Sequence, residues 1–234
     1  AINKTIFSVS TDDLRPAMTG VYFELNKNEI QFVATDTHRL VRYKRSGITT
    51  GETGNFIVPR KPLNVLKNVL PDNDDEITLS HTENHLFIRH KDMSLICRLI
   101  DARFPDYKVV IPAENPYTLV VNKAAFGAAL RRVNVFANKS TNLVALSISG
   151  NELQLSAQDI DYNFEGNETM SCQYNGEPLQ IGFNAKFLSE MLNAINSDDV
   201  KLELSTPSKA GLIKPTEQEA DEDLLLLIMP LLIN

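Results

Sequence analysis

The segment NEIQFVATD, residues 28–36, returns as NELQLSAQD at residues 151–159. Asn, Glu, Gln, Ala and Asp recur at the same places, and Ile30 and Phe32 stay apolar as Leu153 and Leu155, over a displacement of 123. A second pair follows. FIVPRKPLNVLKNVL at 56–70 aligns with IGFNAKFLSEMLNAI at 181–195, a displacement of 125 that sets Leu63, Leu66 and Leu70 on Leu188, Met191 and Ile195. Those positions share one face at helical spacing. Ile77 and Leu79 then fall on Leu202 and Leu204 at the same displacement. The order of elements is therefore duplicated, with a period of about 124 residues that is far too long for a solenoid.

Each copy reads as a hairpin, an amphipathic helix, then more strands. Val21, Phe23 and Leu25 alternate before a polar turn at Asn26 to Asn28, and Ile30 and Phe32 alternate after it. Leu146 and Ile148, a turn at Gly150-Asn151, then Leu153 and Leu155 repeat the pattern of a half-buried antiparallel ribbon. Pro59 and Pro62 stand where a helix can begin, and Asn184 can cap the corresponding helix. Strands follow at 77–80, 85–90 and 94–99. Antiparallel sheet with a few helices on one face is an α+β architecture, expected as two domains over 1–106 and 107–234.

Composition narrows the function classes. With 43% hydrophobic and 23% charged residues, the chain has the balance of a globular protein able to bury cores. The apolar run from Leu224 to Ile228 extends past Met229 and Pro230 only to Ile233, short of the ~20 residues a membrane span needs. No signal peptide opens the chain, and Cys97 and Cys172 are too few for a disulfide framework, so a cytoplasmic protein with two buried, inert thiols is expected. The opening Ala-Ile-Asn-Lys-Thr lacks an initiator Met and reads as a truncated chain. A net charge of −7 argues against gripping nucleic acid over the whole surface, but not against a local basic face.

Three motifs invite chemistry. Asp36, His38 and Arg39 in ATDTHRL could form a general base with an orienting carboxylate, yet no Ser or Cys nucleophile stands in a recognisable elbow. The second copy has AQDIDYN there, so only Asp36 has a counterpart, Asp159. HTENH at 81–85 spaces two histidines as a helical metal site would, but it reads as a polar turn between strands. The acidic run from Asp72 to Glu76 lacks the central Gly and terminal Glu of a calcium loop and reads as a solvated turn. No metal or cofactor is expected. Basic residues are more suggestive: Arg60, Lys61 and Lys67 belong to the first copy's helix, Lys186 to the second's, and Arg131, Arg132 and Lys139 lie in and after another helix. Each set alone reads as a solvated helix face. Duplication could gather them on one surface and supply sequence-independent phosphate attraction, since aromatic interleaving for base stacking is missing.

Several stretches in order, FVATDTHRL at 32–40, FIVPRKPLNVL at 56–66, RLIDARFPDY at 98–107 and the terminal LIMPLLIN, resemble the bacterial sliding clamp family, the beta subunits of the replicative DNA polymerase. The resemblance covers essentially the whole chain. It implies three similar domains per chain, with two chains closing head to tail into a ring around double-stranded DNA, helices lining the hole. Because this chain holds two copies and opens within a helix, it implies that the first domain is missing. It also implies a non-catalytic processivity factor whose partners are the polymerase catalytic subunit, the clamp loader, and other polymerases and repair proteins. These would insert short peptides with apolar anchors, of the Gln-Leu-x-Leu-Phe type, between the second and third domains. Carried over by position, that groove would use Met18, Thr35, Thr37, His38, Arg39 and Leu40, then Pro105, Val109 and Val110, then Leu227, Ile228, Met229, Pro230 and Leu231. Val109 and Leu232 stand where relatives often carry Arg, and Thr37 where many have Gly, which alters the polar rim. Two rivals remain: an α+β hydrolase using Asp36, His38 and Asp159, and a complete two-domain clamp that closes as a trimer.

Overall fold

The repeated segments form matching hairpins in the computed structural model, which describes residues 1–71, 73 and 75–233. In the first, β1 (Gly20–Asn26) and β2 (Glu29–Thr35) pair through Asn26 and Glu29 around a two-residue turn. In the second, Ser149 pairs with Glu152, the same positions displaced by 123, and Gly150 in the turn takes a φ of 57°. Glycine adopts that positive φ without steric cost, whereas the first hairpin turns through Lys27 and Asn28 at negative φ.

The chain divides into two compact units, Ala1–Tyr107 with Ala220–Asp223, and Lys108–Glu219 with Leu224–Asn234. The first unit begins with a short helix α1 (Ile2–Thr5), continued as a 3-10 turn over Ile6–Ser8. After β1 and β2 come β3 (Arg39–Ser46), β4 (Gly54–Pro59) and helix α2 (Arg60–Val69). Antiparallel pairing orders the strands β3-β2-β1-β4. Then β5 (Thr78–His81), β6 (His85–His90) and β7 (Met93–Arg98) form a three-stranded antiparallel sheet. Helix α2 buries Leu63 and Leu66 and leaves Val65 and Val69 exposed, as its apolar spacing predicts. Pro59 occupies its cap position, where a missing N–H leaves no helical bond unmade. Of the acidic run, Asp72 and Asp74 lie outside the described residues.

The second unit begins with β8 (Tyr117–Asn122) and helix α3 (Lys123–Val133), again continued as a 3-10 turn, Asn134–Phe136. Strands β9 (Leu143–Ser149), β10 (Glu152–Asp159) and β11 (Phe164–Ser171) follow, then the two-residue β12 (Gln173–Tyr174), β13 (Leu179–Asn184) and helix α4 (Ala185–Asn193). Last come β14 (Asp199–Leu204), β15 (Gly211–Pro215) and β16 (Glu222–Ile228). One sheet runs β11-β10-β9-β13, the order of the first unit's β3-β2-β1-β4. Register repeats as well: Val21 pairs with Val58, and Val144 with Phe183, which reproduces the displacements of 123 and 125 in hydrogen bonds. The other sheet of this unit joins β12, β8, β14, β15 and β16. Asn184 caps α4 by accepting from the N–H of Lys186 and Phe187. Its core gathers Phe126, Leu130, Leu146, Leu155, Ile181 and Phe183, all fully buried. No helix among the described residues is long and apolar enough to cross a membrane.

Candidate partner-binding and nucleic-acid interfaces

The turn between β2 and β3, with the strand ends that flank it, carries six of the residues singled out in the first unit, Thr35 to Leu40. Asp36 organises it: Oδ1 accepts the backbone N–H of His38 and of Arg39, each at 3.0 Å, and Oδ2 accepts Arg39 Nε at 2.9 Å. Thr35 Oγ1 donates to the Arg39 carbonyl at 2.7 Å and accepts the Thr37 N–H at 3.2 Å. Arg39 also donates from Nη2 to the Phe7 carbonyl at 2.7 Å, with its guanidinium over the Phe7 ring. Thr37 is held at a φ of 78°, a region a β-branched residue rarely enters, and it and His38 are exposed. Thr35, Arg39 and Leu40 are buried, while Met18, at the end of a 3-10 turn over Pro16–Met18, is half-buried.

The connection and the terminal segment divide in the same way. Tyr107 is fixed in the first unit by donating its hydroxyl to Glu24 at 2.8 Å, and burial with that carboxylate nearby pushes its pKa up. Pro105 is exposed, and Val109 and Val110 are 76% and 52% exposed. At the end of the chain, the groove residues Leu227 and Ile228 carried over from the resemblance fall in a core strand rather than on a contact surface. Leu224 to Ile228 are buried, Leu227 and Ile228 to 2% and 1%, because β16 pairs with β15 and is covered on both faces. Met229 at 42% and Leu232 at 81% are exposed, with Pro230 and Leu231 half-buried. Leu231 donates its N–H to the Gly182 carbonyl at 2.8 Å, fastening the tail to β13. A Cβ at residue 182 would stand 2.7 Å from the Leu231 carbonyl oxygen, so glycine permits that approach. Beside it a hollow of about 440 Å³ opens between Leu179 of β13, Pro207 and Leu231 to Ile233. The sequence reading passed over Pro207 and Leu179, which no motif marks.

The basic residues all sit on exposed positions. Arg60, Lys61 and Lys67 lie on α2, Arg131 and Arg132 on α3, Lys186 in the first turn of α4, and Lys139 beyond α3. Within the second unit α3 and α4 pack together. Arg132 is engaged by Glu168 of β11, whose carboxyl the guanidinium holds below its usual range. Lys139 Nζ donates to the Val135 carbonyl at 3.1 Å.

One surface went unread in the sequence. Strand β11 ends its sheet, and beside it Val135, Ile160, Tyr162 and Phe164 are more than half exposed, Tyr162 and Phe164 with rings stacked at 6.0 Å. Apolar residues within the otherwise polar stretch Asp159 to Asn163 were the available signal. At the displacement of 123, Arg42 and Arg45 of β3 fall on Glu165 and Glu168 of β11, so the edge strand β11 carries acidic residues where β3 carries arginines.

The chemical motifs resolve into structural roles. Asp159 Oδ1 accepts the N–H of Asp161 at 3.2 Å, so it holds its own turn as Asp36 does, which leaves the hydrolase reading unsupported. His81 and His85 flank the β5–β6 turn, with His81 Nε2 at 3.2 Å from Glu52. No group of metal-ligating side chains gathers among the described residues. Cys172 is buried and Cys97 half-buried, and burial pushes both thiols up.

Comparison with known proteins is consistent over both units. Residues 1–106 match the central domain of the DNA polymerase III beta subunit, and residues 108–231 its C-terminal domain. The chain is 31% identical over 226 residues to the beta sliding clamp of Staphylococcus epidermidis, covering 96% of this chain and 60% of that protein. Among solved structures, the sliding clamp of Pseudomonas aeruginosa bound to griselimycin matches with a TM-score of 0.93 at 27% identity, over 99% of this chain and 62% of that one. The beta subunit of Thermotoga maritima matches with a TM-score of 0.91 at 29% identity, over 100% of this chain and 62% of that one. The chain spans about 60% of the length of the curated relatives it matches.

Proposed function

Because the chain belongs to the DNA polymerase III beta-subunit family, whose central and C-terminal domain models match 1–106 and 108–231, we propose that it forms part of a DNA sliding clamp. The mechanism is topological and needs no catalytic group. A closed ring stays on double-stranded DNA while moving, so weak, sequence-independent attraction from Arg60, Lys61, Lys67, Arg131 and Lys186 suits it better than tight binding. Cytoplasmic replication partners follow: the polymerase catalytic subunit, the clamp loader, and other polymerases and repair proteins. The β11 edge, with its apolar residues and Glu165 and Glu168, is the surface through which another chain would close the ring.

Partner peptides are read by the Thr37-His38 turn with Met18 in the first unit, and by Val110 and Met229 to Leu231 in the second. The carrying observation is the family match over both units, joined by Val110 and Met229, which are left exposed, and by Met18, Pro230 and Leu231, which are half-buried. Burying roughly 200 Å² of apolar ligand surface at ~25 cal/mol/Å² offers about 5 kcal/mol before association entropy. Isothermal titration with a Gln-Leu-x-Leu-Phe peptide should therefore show weak binding, which Met229→Asp removes by setting an unpaired carboxylate against the anchor. Leu40 is too deeply buried for the same test, since a charge there would unfold the unit. Unchanged affinity in a folded Met229→Asp variant would place the partner site elsewhere.

A further inference from the structure

We propose that Arg39 is a positioning residue for partner binding: it locks the β2–β3 turn onto the chain at Phe7, so that Thr37 and His38 are presented already in place. This rests on the partner-binding reading above, and it assigns Arg39 a different task from the direct contact expected from the sequence.

The geometry points inward. Arg39 is 6% exposed, with Nε 2.9 Å from Asp36 Oδ2 and Nη2 2.7 Å from the Phe7 carbonyl oxygen. A planar guanidinium with its fork engaged in two directions, and packed on the Phe7 ring, cannot also reach a ligand at the surface. What it does is tie three things together: the carboxylate that receives the N–H of His38 and Arg39, the turn itself, and the 3-10 segment Ile6–Ser8. The turn needs that restraint, since Thr37 is held at a φ of 78°, which a free loop with a β-branched residue would abandon.

The internal repeat supplies a control. The second copy keeps the aspartate, Asp159, and keeps its hydrogen bond to the N–H two residues on. It does not keep the arginine: at the displacement of 123, Arg39 falls on Tyr162, which is 70% exposed. A turn of this kind therefore needs its aspartate to form, while the arginine clamp belongs only to the copy whose β2–β3 turn is placed in partner contact. A device required merely for folding the unit would be expected in both.

The test separates presentation from contact. Amide exchange and amide chemical shifts at Thr37 and His38 are recorded for the wild type, Arg39→Gln and Arg39→Lys, free and with the Gln-Leu-x-Leu-Phe peptide, alongside titration calorimetry. Lysine keeps the charge but has no planar fork to span Asp36 and the Phe7 carbonyl, so it serves if the glutamine variant fails to fold. The proposal expects faster exchange in the free variants, about tenfold weaker binding as the competent turn becomes a minor state, and wild-type shifts restored at saturation. Weakened binding with an unaltered free turn would make Arg39 a direct contact and overturn the proposal. A loosened turn with unchanged affinity would overturn it too. Absence of binding by the wild type itself would instead sink the partner-binding reading, and this proposal with it.

Discussion

Thr37 stores strain that a single substitution should release. A left-handed backbone costs a residue with a Cβ about 1–2 kcal/mol, and glycine escapes that cost while loosening the unfolded chain by roughly 0.5–1 kcal/mol. Thr37 sits at a φ of 78°, and it is the backbone N–H of Thr37, not its side chain, that bonds to Thr35 Oγ1. Thr37→Gly should therefore stabilise the first unit by about 1 kcal/mol, read as a rise of about 4 °C in its melting temperature. An unchanged or lower melting point would mean that the threonine side chain contributes something the geometry does not reveal. At this scale the sequence singled out positions without telling which way they face. Thr37, His38 and Met229 are exposed as a contact residue must be, whereas Arg39, Leu40, Leu227 and Ile228 are buried. Position in a motif carries no information on rotamer or cover. For Arg39 the missing fact was the Phe7 carbonyl, 32 residues away in sequence.

Strands and helices were more legible, because period and displacement are properties of many residues at once. The hairpins, the helices α2 and α4, the Asn184 cap and the strands at 85–90 follow the alternation read from the chain. Pairing across long separations did not show, and the opening of β16 is the clearest case. Glu222 accepts from Lys4 Nζ at 2.8 Å, from the Tyr43 hydroxyl at 2.5 Å and from Arg45 Nη1 at 2.8 Å. Burial by itself pushes the Glu222 carboxyl up, but Lys4, Tyr43 and Arg45 outweigh it and leave it at about 2, against an ordinary 4.5. A carboxyl lowered on folding stabilises fully above its unfolded value, and that stabilisation drains away as pH falls from 4.5 through about 2. Glu222→Gln should cost about 2 kcal/mol near neutral pH, less than the roughly 3–5 kcal/mol of a fully buried ion pair because Glu222 is part-buried. Urea titrations from pH 7 to pH 2 should then show the two proteins converging as acid is added. Parallel curves across that range would mean that Glu222 is not the group being titrated.

For the whole molecule, the repeat and the compact units do not cut the chain in the same place. By sequence the second copy runs to the end, yet Ala220–Asp223 belongs to the first unit. The cause is electrostatic and local: β3 presents Arg42, Lys44 and Arg45, and the returning segment brings Asp221, Glu222 and Asp223. Arg42 reaches Asp223 at 2.5 Å and Arg45 reaches Asp221 at 2.6 Å, while the N–H of Ser46 donates to the Asp221 carbonyl. A chain cut after Tyr107 loses all of these partners and leaves the Tyr43 hydroxyl, on a residue only 3% exposed, without its carboxylate. Removing one side of a buried, hydrogen-bonded charge network costs roughly 3 kcal/mol, a large share of the margin of a domain this size. Residues 1–107 alone should therefore unfold at lower urea than the same unit within the intact chain, as read by hydrogen exchange at β3. A synthetic peptide spanning residues 217–226 should restore the midpoint in a saturable way, and the same peptide with Glu222→Gln should do so poorly. If the isolated segment were as stable as in the intact chain, the acidic segment would be a passenger on β3, and the repeat boundary would be the true one.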